Sequence, residues 1–347
     1  MQDNRHNGSK DRTMMTVRNH IFGAVAVAAL LAGALISPRQ AFAEDPAVEP
    51  GVFKLAIQPW LGYGMWYIAK EKGFFKANGL EDVELVNFVE DKDMGAAIAS
   101  GQVNGDNESI QQLLVKVQAG IPLKGILLMD ASTKADAILI KGDDIKTPAD
   151  LKGKQVAFEK GATSDLLLNY ILQKNSMTID DISELPMPAA TAGTAIISGT
   201  VAAAVTYEPY ISTALAADNS IKVLAEAGEA PGLISDMLTI PEDVLKNKPG
   251  QVRALLKSWD QALDFYRTHT EEGRAIIAKG VGAEPSELAS AFDGVSYYSV
   301  AESQEALNGV FKSQTYPSIL KAAVAAKMIE NDVPYESAVD ASVSAVK

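Results

Sequence analysis

The chain has 347 residues, 31 basic and 44 acidic side chains, a net charge of −13 and no cysteine. So acidic a surface repels nucleic acid and anionic lipid. The missing thiols exclude disulfides, thiolate metal sites, cysteine nucleophiles and a lipid-modified N-terminal cysteine.

Residues 1–43 read as a cleaved signal peptide. Arg5, Lys10, Arg12 and Arg18 form a basic n-region, residues 21–36 an apolar run, and Ala41-Phe42-Ala43 an A-x-A cleavage site. The run has 16 residues, short of the ~20 that span a bilayer, so a retained anchor is the weaker reading. Met14 or Met15 would serve as an alternative start. Removing the leader takes away five basic residues and two acids, leaving a net charge near −16. The expected product is soluble, monomeric and exported to the periplasm without a lipid anchor, with outright secretion as the alternative. About 300 residues suit two α/β lobes better than one core.

Short apolar runs alternate with helical patterns, which favours lobes built on mostly parallel sheets. Strands are expected over 53–57, 83–88, 123–129, 137–140, 155–158, 201–206, 221–224 and 237–240. Between the first two, residues 58–67 hold Trp60, Tyr63, Trp66 and Tyr67, with Gly62 and Gly64 read as keeping the turn open. Residues 109–119 place Ile110, Leu113, Leu114 and Val117 on one helical face, with Gly120 as the stop. Thr163 or Ser164 is expected to cap the next helix. After residue 240 the pattern becomes helical, over 251–267, 271–279, 285–292 and 316–328.

An internal echo links the two halves: AAIASGQV at 96–103 returns as TAIISGTV at 194–201. In both, a small-residue helix stops at glycine and a strand follows, ending in Asp106-Asn107-Glu108-Ser109 or in Thr206-Tyr207-Glu208. The echo predicts one supersecondary unit in each lobe, aiming a strand end at a shared cleft.

Junctions between strand and helix supply the candidate ligand contacts: Gln58, Trp60, Tyr63, Asn107, Glu108, Asp130, Glu159, Thr163, Ser164, Tyr207, Glu208 and Asp236. Gly161-Ala162-Thr163-Ser164 offers N–H groups and hydroxyls at a helix start, a seat for an oxyanion, although plain capping explains any one of them. Glu208, just before Pro209, is read equally as a ligand contact or a helix-start carboxylate. Asp236 is read equally as a cleft residue or a solvated loop acid. Trp66, Phe74, Phe75 and Trp259 are assigned to the core, and Tyr210 to the wall. Only His269 remains outside the leader, so neither a Ser-His-Asp triad nor a histidine metal site can be assembled. Neither enzyme activity nor a cofactor nor a metal is expected.

Gln58-Pro59-Trp60-Leu61-Gly62-Tyr63, followed by Tyr67-Ile68-Ala69-Lys70-Glu71-Lys72-Gly73-Phe74-Phe75, strongly resembles the opening of periplasmic substrate-binding proteins of ABC importers of the nitrate/sulfonate/taurine type. The resemblance continues through Ala97, Ser100-Gly101-Gln102-Val103, Asp150-Leu151-Lys152-Gly153-Lys154 and Tyr207-Glu208-Pro209. It implies a two-lobed, type II binding protein with two crossovers, residues 44–134 plus 238–347 in one lobe and 135–237 in the other. It also implies partners: a small-molecule ligand, and a permease with its ATPase at the inner membrane. A ligand-sensing module and an enzyme like the thiamine-pyrimidine synthases are the alternatives on the same fold.

One departure stands out. Beyond the leader, arginine occurs only at 253, 267 and 274, whereas the junctions carry Glu108, Asp130, Glu159, Asp165, Glu208 and Asp236. Oxyanions call for arginine forks or donor nests. Carboxylates beside aromatic faces suit a cationic, amidinium-like or zwitterionic ligand instead. Lys134, Lys160 or the 161–164 nest would serve an anionic group, and a sulfonate, taurine or nitrate anion remains the alternative that the resemblance implies.

Overall fold

The computed structural model describes residues 47–343, so the leader and its cleavage site lie outside the described residues. Eleven described strands form two sheets. The first contains β1 (Val52–Ile57), β2 (Asp82–Asn87), β3 (Gly105–Ser109), β4 (Leu123–Ser132), β10 (Ser235–Pro241) and β11 (Val295–Tyr297), in the order β11-β4-β10-β3-β1-β2. The second contains β5 (Asp136–Lys141), β6 (Gln155–Phe158), β7 (Ser183–Pro186), β8 (Ala203–Tyr207) and β9 (Ile221–Glu226), ordered β7-β6-β8-β5-β9. The chain passes to the second sheet across 133–135 and returns across 227–234.

Both sheets are mixed, a revision of the mostly parallel expectation. β1 runs parallel to β2 and β3, and β6 parallel to β7 and β8. β10 is antiparallel to β3 and β4, and β5 antiparallel to β8 and β9. The cause is topological. Strands β5 and β10 are the ones by which the chain enters each sheet from the other, so they run against the parallel set.

The helices are α1 (Gly64–Glu71), α2 (Phe74–Ala77), α3 (Asp91–Ala99), α4 (Ile110–Gln118), α5 (Thr163–Lys174), α6 (Ala189–Ile197), α7 (Tyr210–Ala217), α8 (Glu242–Asn247), α9 (Pro249–Thr268), α10 (Thr270–Val281), α11 (Val300–Asn308), α12 (Tyr316–Ala325) and α13 (Tyr335–Ala338). The first sheet buries Phe53, Leu55 and Ile57 against α1, α9 and α10, where the Trp66 and Trp259 rings lie 4.8 Å apart. Its other face packs on α3, α4 and α12 through Met94, Leu113 and Ile319. The second sheet lies between α5 (Leu167, Ile171) and α6 with α7 (Ile196, Ile211).

The echoed motif has a structural counterpart. α3 and α6 both end before a left-handed glycine, Gly101 at φ +73° and Gly199 at φ +74°, a conformation glycine adopts without Cβ strain. Each then feeds a central strand, β3 or β8. The repeat is larger than the echo: the order β2-β1-β3-β10 matches β7-β6-β8-β5, with parallel and antiparallel neighbours in the same places.

Other expectations need adjustment. The helix expected over 285–292 is two short 3-10 turns, Pro285–Glu287 and Ala291–Gly294. The helix expected over 316–328 stops at Ala325, and α11, capped reciprocally by Ser299 and Glu302, was not anticipated. Strand β3 reads Gly-Asp-Asn-Glu-Ser, which carries no apolar signal, yet all five residues are buried. No described helix is long and apolar enough to cross a membrane.

Candidate functional site

Parallel strands of both sheets end at one small cavity, which equivalent elements line from either side. After β1 come Gln58, Trp60 and Tyr63, and after β6 come Glu159, Ala162, Thr163 and Ser164. The start of α3 gives Asp91 and the start of α6 gives Ala189. Strand β3 ends in Glu108 and Ser109, and β8 in Tyr207. The entering strands add Asp136 on β5, and Asp236 with Ile234 at β10. The cavity measures about 40 Å³, room for one or two waters.

Direct hydrogen bonds hold the walls together. Thr163 Oγ1 donates to Ser109 Oγ (2.8 Å), and Gln112 Nε2 donates to Gly161 O (3.1 Å) and to Asp91 Oδ2 (2.6 Å). The Glu159 carboxylate accepts from the first N–H of α3 at Asp91 and of α6 at Ala189, each at 3.1 Å. Trp60 meets Tyr207 edge to face at 5.9 Å. These contacts join elements of the two sheets directly.

Nine of the twelve residues singled out in the sequence line the cavity: Gln58, Trp60, Tyr63, Glu108, Glu159, Thr163, Ser164, Tyr207 and Asp236. The other three are placed elsewhere. Asn107 points away from the cavity, accepting from Trp66 Nε1 (2.8 Å) and donating to Ala56 O (2.6 Å), because side chains alternate along β3. Asp130 lies beneath the aromatic turn and accepts from Trp60 Nε1 at 3.3 Å. Glu208 turns onto the first turn of α7, accepting from Ser212 N and Ser212 Oγ at 3.0 Å each. Its role is that of a helix-start carboxylate.

The turn glycines act by close approach rather than by openness. A Cβ on Gly62 would fall 2.1 Å from Trp60 Nε1 and 2.2 Å from Asp130 Oδ2, and one on Gly64 would strike Ile277. Part of the expected oxyanion nest at 161–164 is taken up within the protein: Gly161 N–H donates to Asp165 Oδ2 at 2.8 Å, and Ser164 Oγ accepts from Glu159 N at 2.9 Å. α5 has no side-chain N-cap bond from Thr163 or Ser164. Lys160 pairs outward with Glu184, and neither it nor Lys134 lines the cavity.

Sequence reasoning did not single out Asp91, Asp136, Ala189 or Ile234, and it named Ser109 and Ala162 only as members of the strand end 106–109 and the nest 161–164. Asp136 lay one residue ahead of the expected strand 137–140, and only the ladder pairing Asp136 with Tyr207 brings it to the site.

Five carboxyl groups thus line the cavity and no lysine or arginine does. Lys116, on α4 behind the wall, lies 2.5 Å from Asp106 Oδ2 and from Glu108 Oε2. Burial opposes its charge, but the two carboxylates outweigh burial and raise its pKa above the ordinary lysine value. Burial, reinforced by Asp106 and opposed by Lys116, pushes Glu108 up to about 7. Burial, opposed by a hydrogen bond from Ser132 and aided by the nearby Glu208, pushes Asp136 up to about 7, and burial with Asp91 does the same for Glu159. Asp236 rises well above the ordinary range through burial and the charges of Asp130 and Asp136, against a hydrogen bond from Tyr63. Burial also raises Asp91. Each of these carboxyl shifts has the sign of burial outweighing the cations and donors nearby.

A protein-family model described as NMT1/THI5 like matches residues 62–273. A putative aliphatic sulfonates-binding protein of Escherichia coli (strain K12) is 31% identical over 176 residues, 50% of this chain and 54% of that protein. The chain thus spans about half the length of that relative. Among solved structures, the alkanesulfonate-binding protein SsuA from Xanthomonas axonopodis pv. citri bound to MOPS aligns with a TM-score of 0.64 at 21% identity, covering 80% of this chain and 99% of that one. The periplasmic nitrate-binding protein NrtA from Synechocystis PCC 6803 aligns with a TM-score of 0.62 at 16% identity, covering 81% and 86%. At these identities the two structures show a shared fold, that of periplasmic binding proteins.

Proposed function

The chain belongs to the NMT1/THI5-like family, whose model spans residues 62–273, and we propose that it is the periplasmic solute receptor of an ABC importer. The two sheets are the cores of two lobes, and segments 133–135 and 227–234 are the hinge between them. A solute that touches both walls favours the closed state over the open one, and the closed form is the one a permease would read.

We further propose that the solute is a small cation or zwitterion with its positive end in the cavity. The carrying observation is the lining of five carboxyls and aromatic faces with no basic side chain. Two charge-assisted hydrogen bonds of ~1.5–3 kcal/mol each and one desolvated cation–π contact of ~2 kcal/mol supply about 5–8 kcal/mol. Micromolar affinity needs about 8 kcal/mol. The 40 Å³ cavity admits such a solute only after the lobes open.

A sulfonate or nitrate is the second reading, favoured by what the Escherichia coli, Xanthomonas and Synechocystis proteins are named for. The Gly161 N–H taken by Asp165 and the first N–H groups of α3 and α6 taken by Glu159 weigh against it. Thermal-shift titration of the mature protein against amines, guanidines, amidines, zwitterions, sulfonates and nitrate tests the reading. Saturable one-to-one stabilisation by a cation or zwitterion is expected. Micromolar binding of a sulfonate or nitrate, with the cations silent, would overturn the cationic assignment.

A further inference from the structure

Asp136 and Asp236 occupy equivalent places in the two halves of the repeat. Asp136 opens β5, the antiparallel strand beside β8, and faces Tyr207 in the ladder. Asp236 stands near the start of β10, the antiparallel strand beside β3, and faces Ser109. Each follows one of the two segments by which the chain passes between sheets, so the pair flanks the cavity from both sides of the hinge. Asp136 is 7% exposed and Asp236 5%.

Asp136 Oδ2 is buried, lines the cavity and makes no hydrogen bond of normal geometry, the Ser132 hydroxyl acting on the carboxyl only weakly. A buried acceptor left without a donor is costly, and a buried carboxylate more so. Among the described residues no three or more His, Cys, Asp or Glu side chains converge as a metal site would require. The fitting partner is an organic cation whose charge is carried on N–H bonds.

We propose that Asp136 and Asp236 clamp one cationic group of the solute across the hinge, and that this group is a primary ammonium, guanidinium or amidinium rather than a quaternary ammonium. This rests on the cationic reading above and narrows it. A planar, forked donor can reach both carboxylates at once, while a quaternary ammonium satisfies the aromatic walls but leaves Asp136 Oδ2 as it stands. Because the clamp takes one aspartate from each side, the same contact that selects the cation also holds the halves together.

The test uses the mature protein at pH 8, with methylguanidinium, tetramethylammonium and methanesulfonate as probes, read by calorimetry and thermal shift. The wild type is compared with D136N and D236N, whose folding is checked by circular dichroism. The expected result is saturable methylguanidinium binding, weakened at least tenfold in either variant, and no saturable tetramethylammonium binding. Tetramethylammonium binding as tightly as methylguanidinium would overturn the clamp while leaving the cationic reading intact, as would undiminished methylguanidinium binding by both variants. Methanesulfonate binding with both cations silent would overturn the two together, and silence of all three probes would overturn the clamp. Should a variant fail to fold, the ranking of the two cations by the wild type decides.

Discussion

Replacing Asp136 by asparagine should stabilise the solute-free protein at alkaline pH and leave it nearly unchanged in acid. Burial lifts the Asp136 carboxyl from 3.8 to about 7, so between those values the native state holds a proton that the unfolded chain has lost. Stability from this group is full below pH ~4 and is lost as pH rises through ~7. The shift spans about 3 units, and at 1.36 kcal/mol per unit the ionised group costs the fold about 4 kcal/mol. The asparagine of D136N never ionises, but its amide must sit where Asp136 Oδ2 makes no hydrogen bond of normal geometry, which offsets roughly 1–2 kcal/mol. The net gain at pH 8 is about 2–3 kcal/mol, or roughly 3–5 °C in Tm for a chain of this size. Thermal denaturation of D136N and wild type at pH 5 and pH 8 measures it. The overall negative charge weakens both proteins alike as pH rises, so the difference between them isolates the site. A D136N advantage no larger at pH 8 than at pH 5 would refute the reasoning.

Lys116→Met should cost about 3–5 kcal/mol in urea denaturation at pH 8, since two buried carboxylates lose their cation. The loss should shrink at pH 5, where protonation of Glu108 relieves part of it, and a cost below about 1 kcal/mol would contradict the ion-pair account. Asn107→Ala strips partners from Trp66 Nε1 and Ala56 O and should cost about 1–3 kcal/mol. Solute affinity, read by calorimetry, should stay within about twofold, because Asn107 is not at the cavity. Gly62→Ala forces a Cβ onto Trp60 and Asp130 and should destabilise by about 1–3 kcal/mol. It should also weaken solute binding, because the Trp60 wall moves, whereas unchanged stability would show that the turn relaxes freely.

Much of the fold was legible because its signals are local. Apolar strands such as β1 and β6, the helical faces of α4 and α5, and the echo stopping at Gly101 and Gly199 depend on residues close in sequence. The family opening at 58–75 was legible for the same reason. Strand β3 was visible only through the echo: Asp106 and Glu108 are buried because Lys116 and Thr239, from α4 and β10, meet them there, and Asn107 because Trp66 and the Ala56 carbonyl do. Sheet direction was not legible, since β5 and β10 look like any other apolar strand until their entry from the opposite side is known.

The junctions of the site were readable, but the direction of each side chain was not. Asn107 and Glu108 are adjacent, and strand alternation sends one to the core and the other to the cavity. The sequence by itself determined that acids and aromatic rings gather at strand ends and that arginine does not. Only the tertiary structure decided which acids are taken from water and left without a cation. An excess of carboxylates is a property of composition, whereas the cost of holding them ionised arises when two sheets close over them.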